Sequence, residues 1–454
     1  MVMGSLPEAV DVAVIGGGVG GYFAAIHAAQ LGKSVALIEK EKLGGHCLNY
    51  ACIPSKTMIK VADMFYEIQH AENFGIHVGE IHIEPSDLYK WRMDASEKLE
   101  KGVEFLCKSN GVEVAKGTGI FTSSSSLQIG GGSSIDFRKA IVATGSEPTV
   151  LKGFEFDGRR VIDYKQALML DYLPETMVIL GAGYVAVEIG MLYAKLGVKV
   201  SIVARSDVLR LFDRDAVDLV KKKMAELGIK VYTGVTPVSY DASAVKLSDG
   251  TRVFASLIVV AIGLSPYTKG LGLESTKAQL DEKGFIKVDN ALRTTDPNIL
   301  AIGDVIGEPL LAHKAMRQGI VAAEVAAGKN AAYDNIVVPA VIFSDPEIAI
   351  AGTIEGEGLK VTKFPLTALG RAIALDATSG FVKIAADSDN VVRGVEVVSD
   401  DAGDIIGEAV VAIEMGATLE DIADSIHPHP TYSEALKEAA EAALGRSIHY
   451  FYGK

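Results

Sequence analysis

Two cysteines stand five apart in the stretch Gly44-Gly45-His46-Cys47-Leu48-Asn49-Tyr50-Ala51-Cys52-Ile53-Pro54-Ser55-Lys56, and the 454-residue chain holds only one other. A glycine pair ahead and a proline and lysine behind give the layout of a redox disulfide at a helix start. Positions five apart on a regular helix face different ways, so joining Cys47 to Cys52 requires local distortion, and a strained disulfide is easier to reduce. The competing reading is a pair of buried structural thiols. Three cysteines are too few for a secreted disulfide framework, so the count points to a reducing, cytoplasmic setting and to a catalytic bond. The third, Cys107, has no partner or activating base near it in sequence and reads as a packing thiol.

A second chemistry-bearing stretch lies near the end, His427-Pro428-His429-Pro430-Thr431-Tyr432-Ser433-Glu434. Imidazole exchanges protons near neutral pH, and Glu434 is spaced to orient a histidine beside a helix start that Thr431 or Ser433 would cap. The His-x-His pair also invites a metal. Flanking prolines and the lack of an accompanying acid or cysteine cluster argue against one, and none is expected.

These groups need a frame, and the chain spells one twice. Asp11 to Ile15 reads as a buried strand running into Gly16-Gly17-Gly18-Val19-Gly20-Gly21, then a helix to about Leu31, then a strand Ser34 to Ile38 ending at Glu39. Gly16 permits the tight turn, Gly18 lets a pyrophosphate approach the helix N-terminus, and Gly21 lets helix and strand pack closely. Glu39 is placed to accept hydrogen bonds from a ribose diol. The unit recurs as Met177 to Leu180, Gly181-Ala182-Gly183-Tyr184-Val185-Ala186, a helix and the strand Lys199 to Val203. Two such units imply two dinucleotides, which in adjacent domains suggests a flavin meeting a nicotinamide.

The second unit departs from the first where it matters for cofactor choice. Its second strand ends in Ala204-Arg205-Ser206-Asp207, with Arg210 further on and no carboxylate at the strand end. Two arginines there would clamp a 2′-phosphate, so NADP(H) is favoured over NAD(H); the competing reading has Asp207 on the ribose and both arginines as surface charges. Between the two units, Ala143-Thr144-Gly145 closes a strand in a small-residue turn where a cofactor can touch backbone, and Thr57 to Gln69 continues the cysteine stretch as a helix. A further helix, Pro85 to Asn110, carries the single tryptophan, Trp91. Asn298 to Asp304 is an apolar strand ending in Gly-Asp, with Asp304 exposed at a helix start to meet a polyol chain.

Composition bounds the partners. Hydrophobic residues at 49% and charged residues at 22% describe a globular chain of about three domains. A net charge of −14 argues against nucleic acid or an anionic membrane surface as the main partner. The near-uncharged run Val12 to Gln30 is glycine-punctuated strand and helix rather than a membrane segment, and the leader Met1 to Glu8 lacks a basic region.

Taken in order, Gly16-x-Gly18-x-x-Gly21, Cys47 to Lys56, Ala143-Thr144-Gly145, the second glycine signature with Glu188, Gly303-Asp304 and His429-Pro430-Thr431 resemble the FAD-dependent pyridine nucleotide-disulfide oxidoreductases over essentially the whole chain. The resemblance implies an α/β fold with two Rossmann-like dinucleotide-binding domains and a C-terminal α+β dimerisation domain. The parts would be 1–149 and 271–335 for FAD, 150–270 for NAD(P), and 336–454 for the interface. It implies a homodimer whose active site takes flavin and disulfide from one subunit and the histidine base from the other. By motif position, Cys47 would exchange with a dithiol substrate and Cys52 would form the thiolate against the flavin. Lys56, paired with Glu188, would sit near flavin N5, and Tyr184 would gate the nicotinamide face. His429 would be the base oriented by Glu434.

Within that family, Cys-Ile-Pro-Ser-Lys and the ending His429 to Ala439 look like members that oxidise a lipoyl dithiol, free or on a carrier protein. Ala182, Ala186, Arg205 and Arg210 look like NADPH-driven reductases of a low-molecular-weight thiol such as glutathione, which stands as the alternative. A C-terminal cysteine pair is missing, which counts against a mercuric ion reductase. Three positions depart from the lipoyl pattern: His46 where threonine is usual, Ala51 where glycine is usual, and Leu264 where arginine is usual. His46 is read either as an electrostatic influence on the thiolates or as a neutral packed ring.

Overall fold

A computed structural model describes residues 8–130 and 132–452; the leader Met1 to Glu8, save Glu8, and Gly131 lie outside the described residues. The chain forms two compact units, Met1–Leu173 with Val259–Asp334, and Pro174–Ile258 with Asn335–Lys454. Each contains one of the two glycine signatures.

In the first unit, continuous apolar runs make strands buried on both faces. β1 (Ala9–Ile15) leads through the glycine turn into α1 (Val19–Gln30), β2 (Val35–Glu39), the short α2 (Gly45–Asn49), α3 (Cys52–Gln69) and α4 (Pro85–Ser109). β3 (Val112–Lys116) completes a parallel set β3-β2-β1-β6, and β6 (Ser133–Val142) runs on into an antiparallel ribbon with β5 (Ser126–Ile129) and β4 (Gly119–Ser123). The late strand Ile299–Ala301 adds to the C-terminal half of β6, which is how residues near position 300 return to the first glycine turn. The helix Ala312–Ala326 packs beside α1, where the Cβ of any residue at Gly319 would fall 2.5 Å from the Gly20 carbonyl oxygen. Cys107 is fully buried in this core, and burial pushes its thiol up to about 11, as a packing thiol requires.

The second unit repeats the strand-turn-helix-strand scheme. β7 (Thr176–Leu180), α5 (Tyr184–Lys195), β8 (Lys199–Ala204), α6 (Arg214–Glu226) and β9 (Lys230–Thr233) give a parallel order β9-β8-β7. Its C-terminal part is an antiparallel sheet ordered β10-β11-β14-β13-β12, built from β10 (Ala340–Ile342), β11 (Glu347–Gly352), β12 (Lys360–Pro365), β13 (Phe381–Ala386) and β14 (Val392–Ser399). α7 (Ala402–Glu414) and α8 (Glu434–Ala443) close one face of it over Val382, Ile384, Val395 and Val397. The architecture is the expected α/β one with a C-terminal α+β part. Sequence reading passed over β12 and the helix Leu419–Ala423. β12 is an edge strand in which only Phe364 is buried, and the helix is one turn long, held by a Thr418–Asp421 capping box.

Candidate functional site

The first glycine turn divides its labour as the spacing predicts. A Cβ on Gly16, at φ +102°, would lie 2.4 Å from the Ala143 carbonyl oxygen, and one on Gly21 would lie 1.8 Å from the Gly16 oxygen. Both positions exclude any side chain. Over Gly18, by contrast, a Cβ would find only the Gly45 Cα at 3.9 Å. That open cradle, at the N-terminus of a twelve-residue helix, fits a diphosphate. Glu39 ends β2 with its carboxylate already gathered in: Gly17 N–H donates to Oε2 at 2.6 Å and Glu41 N–H to Oε1 at 2.6 Å. The strand-end acid is thereby locked to the glycine turn, leaving acceptor capacity for a ribose diol.

The cysteine stretch is fastened to the same turn. Gly44 and Gly18 form a bridge, the Gly44 N–H donates to the Gly17 carbonyl at 2.8 Å, and a Cβ on Gly45 would stand 2.6 Å from the Gly18 Cα. Only a glycine pair passes this close. The distortion expected between Cys47 and Cys52 takes the form of a helix break: α2 stops at Asn49, Tyr50 and Ala51 leave helical geometry, and α3 restarts at Cys52. Ala51 has φ −134°, so glycine is not needed there. Across the break Cys47 is hydrogen-bonded to Cys52; that bond, burial and the Cys52 charge push the Cys47 thiol well up, while the Lys56 ammonium pulls it down. Lys56 stands one turn into α3, so one helix start carries one cysteine and the cation that acts on the other.

His46 is a neutral packed ring. Burial, then Lys165 and Lys40, push it down to about 4 against Glu41, and its edge meets the Tyr50 ring with centroids 6.1 Å apart. An uncharged imidazole lends no positive field to the thiolates.

Thr144 and Asp304 also reach this region. The Thr144 hydroxyl donates to the Tyr267 carbonyl at 2.7 Å, and Gly145, at φ +70°, accepts the Tyr267 N–H at 3.0 Å, so this turn is tied to Tyr267 from both sides. Asp304 was expected to be exposed; it is half-buried in the short 3-10 turn Gly303–Ile306, and Ile302 takes the cap position. Burial raises its carboxyl although the Ser146 hydroxyl donates to Oδ2 at 2.6 Å. Ser146 was missed in the sequence, where its adjacency to Thr144-Gly145 was the available signal.

In the second unit Gly181, at φ +126°, makes the turn, and nothing lies within 4 Å of a Cβ on Gly183, the cap of α5. This second open cradle fits a second dinucleotide. Tyr184 opens α5 half-exposed, and Ala186 is fully buried where the first turn has Gly21. Arg205 and Arg210 are exposed on the loop after β8. Asp207 is engaged elsewhere: its Oδ2 accepts from Lys221 Nζ at 2.6 Å and its Oδ1 from the Val208 N–H at 2.8 Å. The loop is seated by Leu209, which takes φ +48° and donates its N–H to the Ala182 carbonyl at 2.9 Å. A bulky left-handed residue marks a turn held in place by its surroundings. Glu188, buried on α5, accepts the Phe343 N–H at 3.1 Å.

His429 and Glu434 meet as the spacing predicts, Nδ1 to Oε1 at 2.8 Å, with the imidazole side chain 77% exposed. Burial works upward on Glu434, but the Thr431 N–H at 2.8 Å and the His429 ring hold its carboxyl below the usual range. The cap expected from Thr431 or Ser433 is not made: Thr431 donates to the Pro428 carbonyl and Ser433 makes no side-chain cap bond. Glu434 instead accepts the Thr431 N–H ahead of the helix, and the Ala435 and Leu436 N–H groups donate to the Tyr432 and Ser433 carbonyls. His427 turns away to Glu408, Nε2 to Oε1 at 2.8 Å, so the His-x-His pair is split between two carboxylates. No cluster of metal-ligating side chains forms among the described residues.

The chain matches the model of the pyridine nucleotide-disulphide oxidoreductase family over residues 10–319, and that of its dimerisation domain over 338–440. Dihydrolipoyl dehydrogenase 2 of Haloarcula marismortui is 40% identical, with 99% of this chain and 100% of the relative covered; dihydrolipoyl dehydrogenase of Geobacillus stearothermophilus is 40% identical over 99% of each. Among solved structures, LpdA of Mycobacterium tuberculosis superposes with a TM-score of 0.90 at 29% identity, covering 95% of this chain and 99% of that one. With matches of that extent over both glycine turns, the cysteine pair and the C-terminal sheet, the chain belongs to the pyridine nucleotide-disulphide oxidoreductases.

Proposed function

We propose that this chain oxidises a lipoyl dithiol, free or borne on a lipoyl-domain carrier, and delivers the electron pair to a pyridine nucleotide, NADP(H) in preference to NAD(H). The observation that carries the reading is the Cys47–Cys52 pair, set across a helix break and pinned by Gly44 and Gly45 to the diphosphate cradle at Gly18. The lipoyl assignment is supported by the relatives at 40% identity, which are named dihydrolipoyl dehydrogenases. The low-molecular-weight disulfide reductase is the weaker reading. For the nucleotide, the support is a strand end without a carboxylate, two exposed arginines, and Asp207 held by Lys221.

The residues divide the work as follows. A lipoyl thiolate attacks Cys47 of the oxidised pair; a lipoyl–Cys47 bond forms, the Cys47–Cys52 bond breaks, and Cys52 leaves with the electron pair. His429 of the partner subunit takes the proton of the second lipoyl thiol, whose sulfur then closes the cyclic disulfide and releases Cys47, to which the proton passes. Glu434 keeps the ring oriented throughout. Gly16, Gly18, Gly21, Glu39, Thr144, Gly145 and Asp304 would hold FAD, which when bound would supply the two-electron relay to the nucleotide. Lys56 would lie beside the flavin, and Tyr184 would gate the nicotinamide side. The dimerisation domain supports a homodimer, and three cysteines fit a reducing cytoplasm. No helix among the described residues is long and apolar enough to cross a membrane.

Anaerobic oxidation of dihydrolipoamide with NAD and NADP in parallel, beside glutathione disulfide reduction, tests this. The expected result is dihydrolipoamide turnover with NADP ahead. Glutathione disulfide turnover exceeding it overturns the substrate, and NAD ahead overturns the nucleotide. Cys47→Ser should abolish turnover while the protein stays yellow.

A further inference from the structure

Across three neighbouring strands of the C-terminal sheet the register sets one polar row: Lys363 of β12 opposite Lys383 of β13, and Lys383 opposite Glu396 of β14. The alternate residues Val382, Ile384, Val395 and Val397 face the helical core, so the row looks out of the opposite face. There it meets the start of α6. Lys383 Nζ lies 2.7 Å from Asp213 Oδ1 and 3.0 Å from Asp215 Oδ2, and Lys363 Nζ lies 2.9 Å from Asp215 Oδ2. Both ammonium groups also lie over the buried Phe381 ring, at 4.3 and 5.1 Å from its centroid.

Glu396 is the odd member. It is 0% exposed, and neither of its carboxyl oxygens has a hydrogen-bond partner among the described residues. On β11 its neighbour across the ladder is the uncharged Ile350, and the charges acting on it are those of Asp213, Lys383, Asp215 and Lys363. A carboxyl so placed stays neutral until alkali forces its proton off.

The start of α6 is also the end of the loop that carries Arg205 and Arg210. Asp213 caps α6, accepting the Asp215 N–H at 2.9 Å; Phe212 N–H donates to the Leu209 carbonyl at 2.9 Å; and Leu209 N–H donates to Ala182 in the glycine turn at 2.9 Å. A continuous line of bonds therefore runs from the sheet to the nucleotide cradle.

We propose that Lys383 and Glu396 are positioning residues for the pyridine nucleotide: neutral Glu396 leaves Lys383 to Asp213 and Asp215, ionised Glu396 competes for it, and the loop 205–212 loosens. Burial and Asp213, set against Lys383, push the Glu396 carboxyl up to about 8. The sign follows: the tether is complete at neutral pH and is lost as pH rises through that value. The proposal rests on loop 205–212 being the nucleotide-reading loop.

Calorimetric titration of the oxidised holoenzyme with NADP⁺, and separately with NAD⁺, between pH 6.5 and pH 9.5 (roughly spanning the buried carboxyl's titration) tests it. In the unsubstituted protein Kd should rise about fivefold across the range, a modest coupling between two sites. Glu396→Gln, nearly isosteric and fixed neutral, should hold the neutral-pH Kd throughout. Lys383→Met should show the alkaline Kd at neutral pH. A Glu396→Gln protein that keeps the rise, or a Lys383→Met protein that binds normally at neutral pH, overturns the proposal; should Lys383→Met fail to fold, Glu396→Gln decides alone. If NAD⁺ binds tighter at every pH while the rise still vanishes in Glu396→Gln, the arginine reading falls and the tether stands. If NADP⁺ is preferred and the rise persists in Glu396→Gln, the tether falls and the arginine reading stands.

Discussion

The two glycine turns share a backbone plan and differ in what surrounds it. The first is tight: Gly21 lies directly under the Gly16 carbonyl, and Glu39 is bonded to the turn itself. The second accepts Ala186 in the matching place, ends its strand without an acid, and lets Leu209 pin a loop bearing two arginines. The first turn is also clasped by the cysteine stretch through Gly44 and Gly45, whereas the second has an open cap. On the proposed function, the difference separates a turn that holds its dinucleotide through the reaction from one that exchanges it. A resident cofactor gains from every fixed contact; a diffusing one needs a loop that discriminates and lets go.

The largest effect that would break this comparison is expected at Gly21. Gly21→Ala places a methyl 1.8 Å from backbone, costs about 3 kcal/mol or more, and should yield colourless or unfolded protein, read from flavin absorbance after purification. A yellow, stable Gly21→Ala protein would remove the tightness on which the contrast depends. Next, Arg205→Glu exchanges an attractive for a repulsive charge and should lower the NADPH-to-NADH ratio of kcat/KM by about 10- to 100-fold, the worth of a charged hydrogen bond. An unchanged ratio would reduce Arg205 to a surface charge. Ala186→Gly should be mild, about 1 kcal/mol of helix propensity, visible as a small drop in Tm with flavin content intact. Smallest is Lys221→Met, which frees Asp207 from its half-exposed pair and should move nucleotide preference toward NAD by about threefold at most. A larger shift would make Asp207 the ribose acceptor that the second turn otherwise lacks.

Local chemistry was legible in the sequence wherever one short segment carried it. The glycine spacings, the helix that follows the cysteine pair, the acid ending β2 and the His429–Glu434 spacing each involve neighbours along the chain, and the structure sets those residues together. What was misread depended on surroundings. Asp304 looked exposed because the segment gives no sign of Ser146, which meets it from 158 positions away. Thr431 and Ser433 looked like caps because their side chains suit the role, yet the Thr431 hydroxyl goes to the Pro428 carbonyl and Ser433 makes no side-chain cap bond. β12 was invisible because an edge strand with one buried side chain has no periodicity to read.

The sequence by itself determined that there are two dinucleotide turns, which of them ends in an acid, and that a cysteine pair follows the first. Those are properties of residue type and spacing, expressed by steric rules that act within a few residues. Only the tertiary structure decided that His46 is neutral, that Lys221 holds Asp207, that Glu396 is buried with no hydrogen-bond partner among the described residues, and that a lysine row on the C-terminal sheet reaches the start of α6. Burial and long-range charge set those outcomes, and both depend on which segments the fold brings face to face.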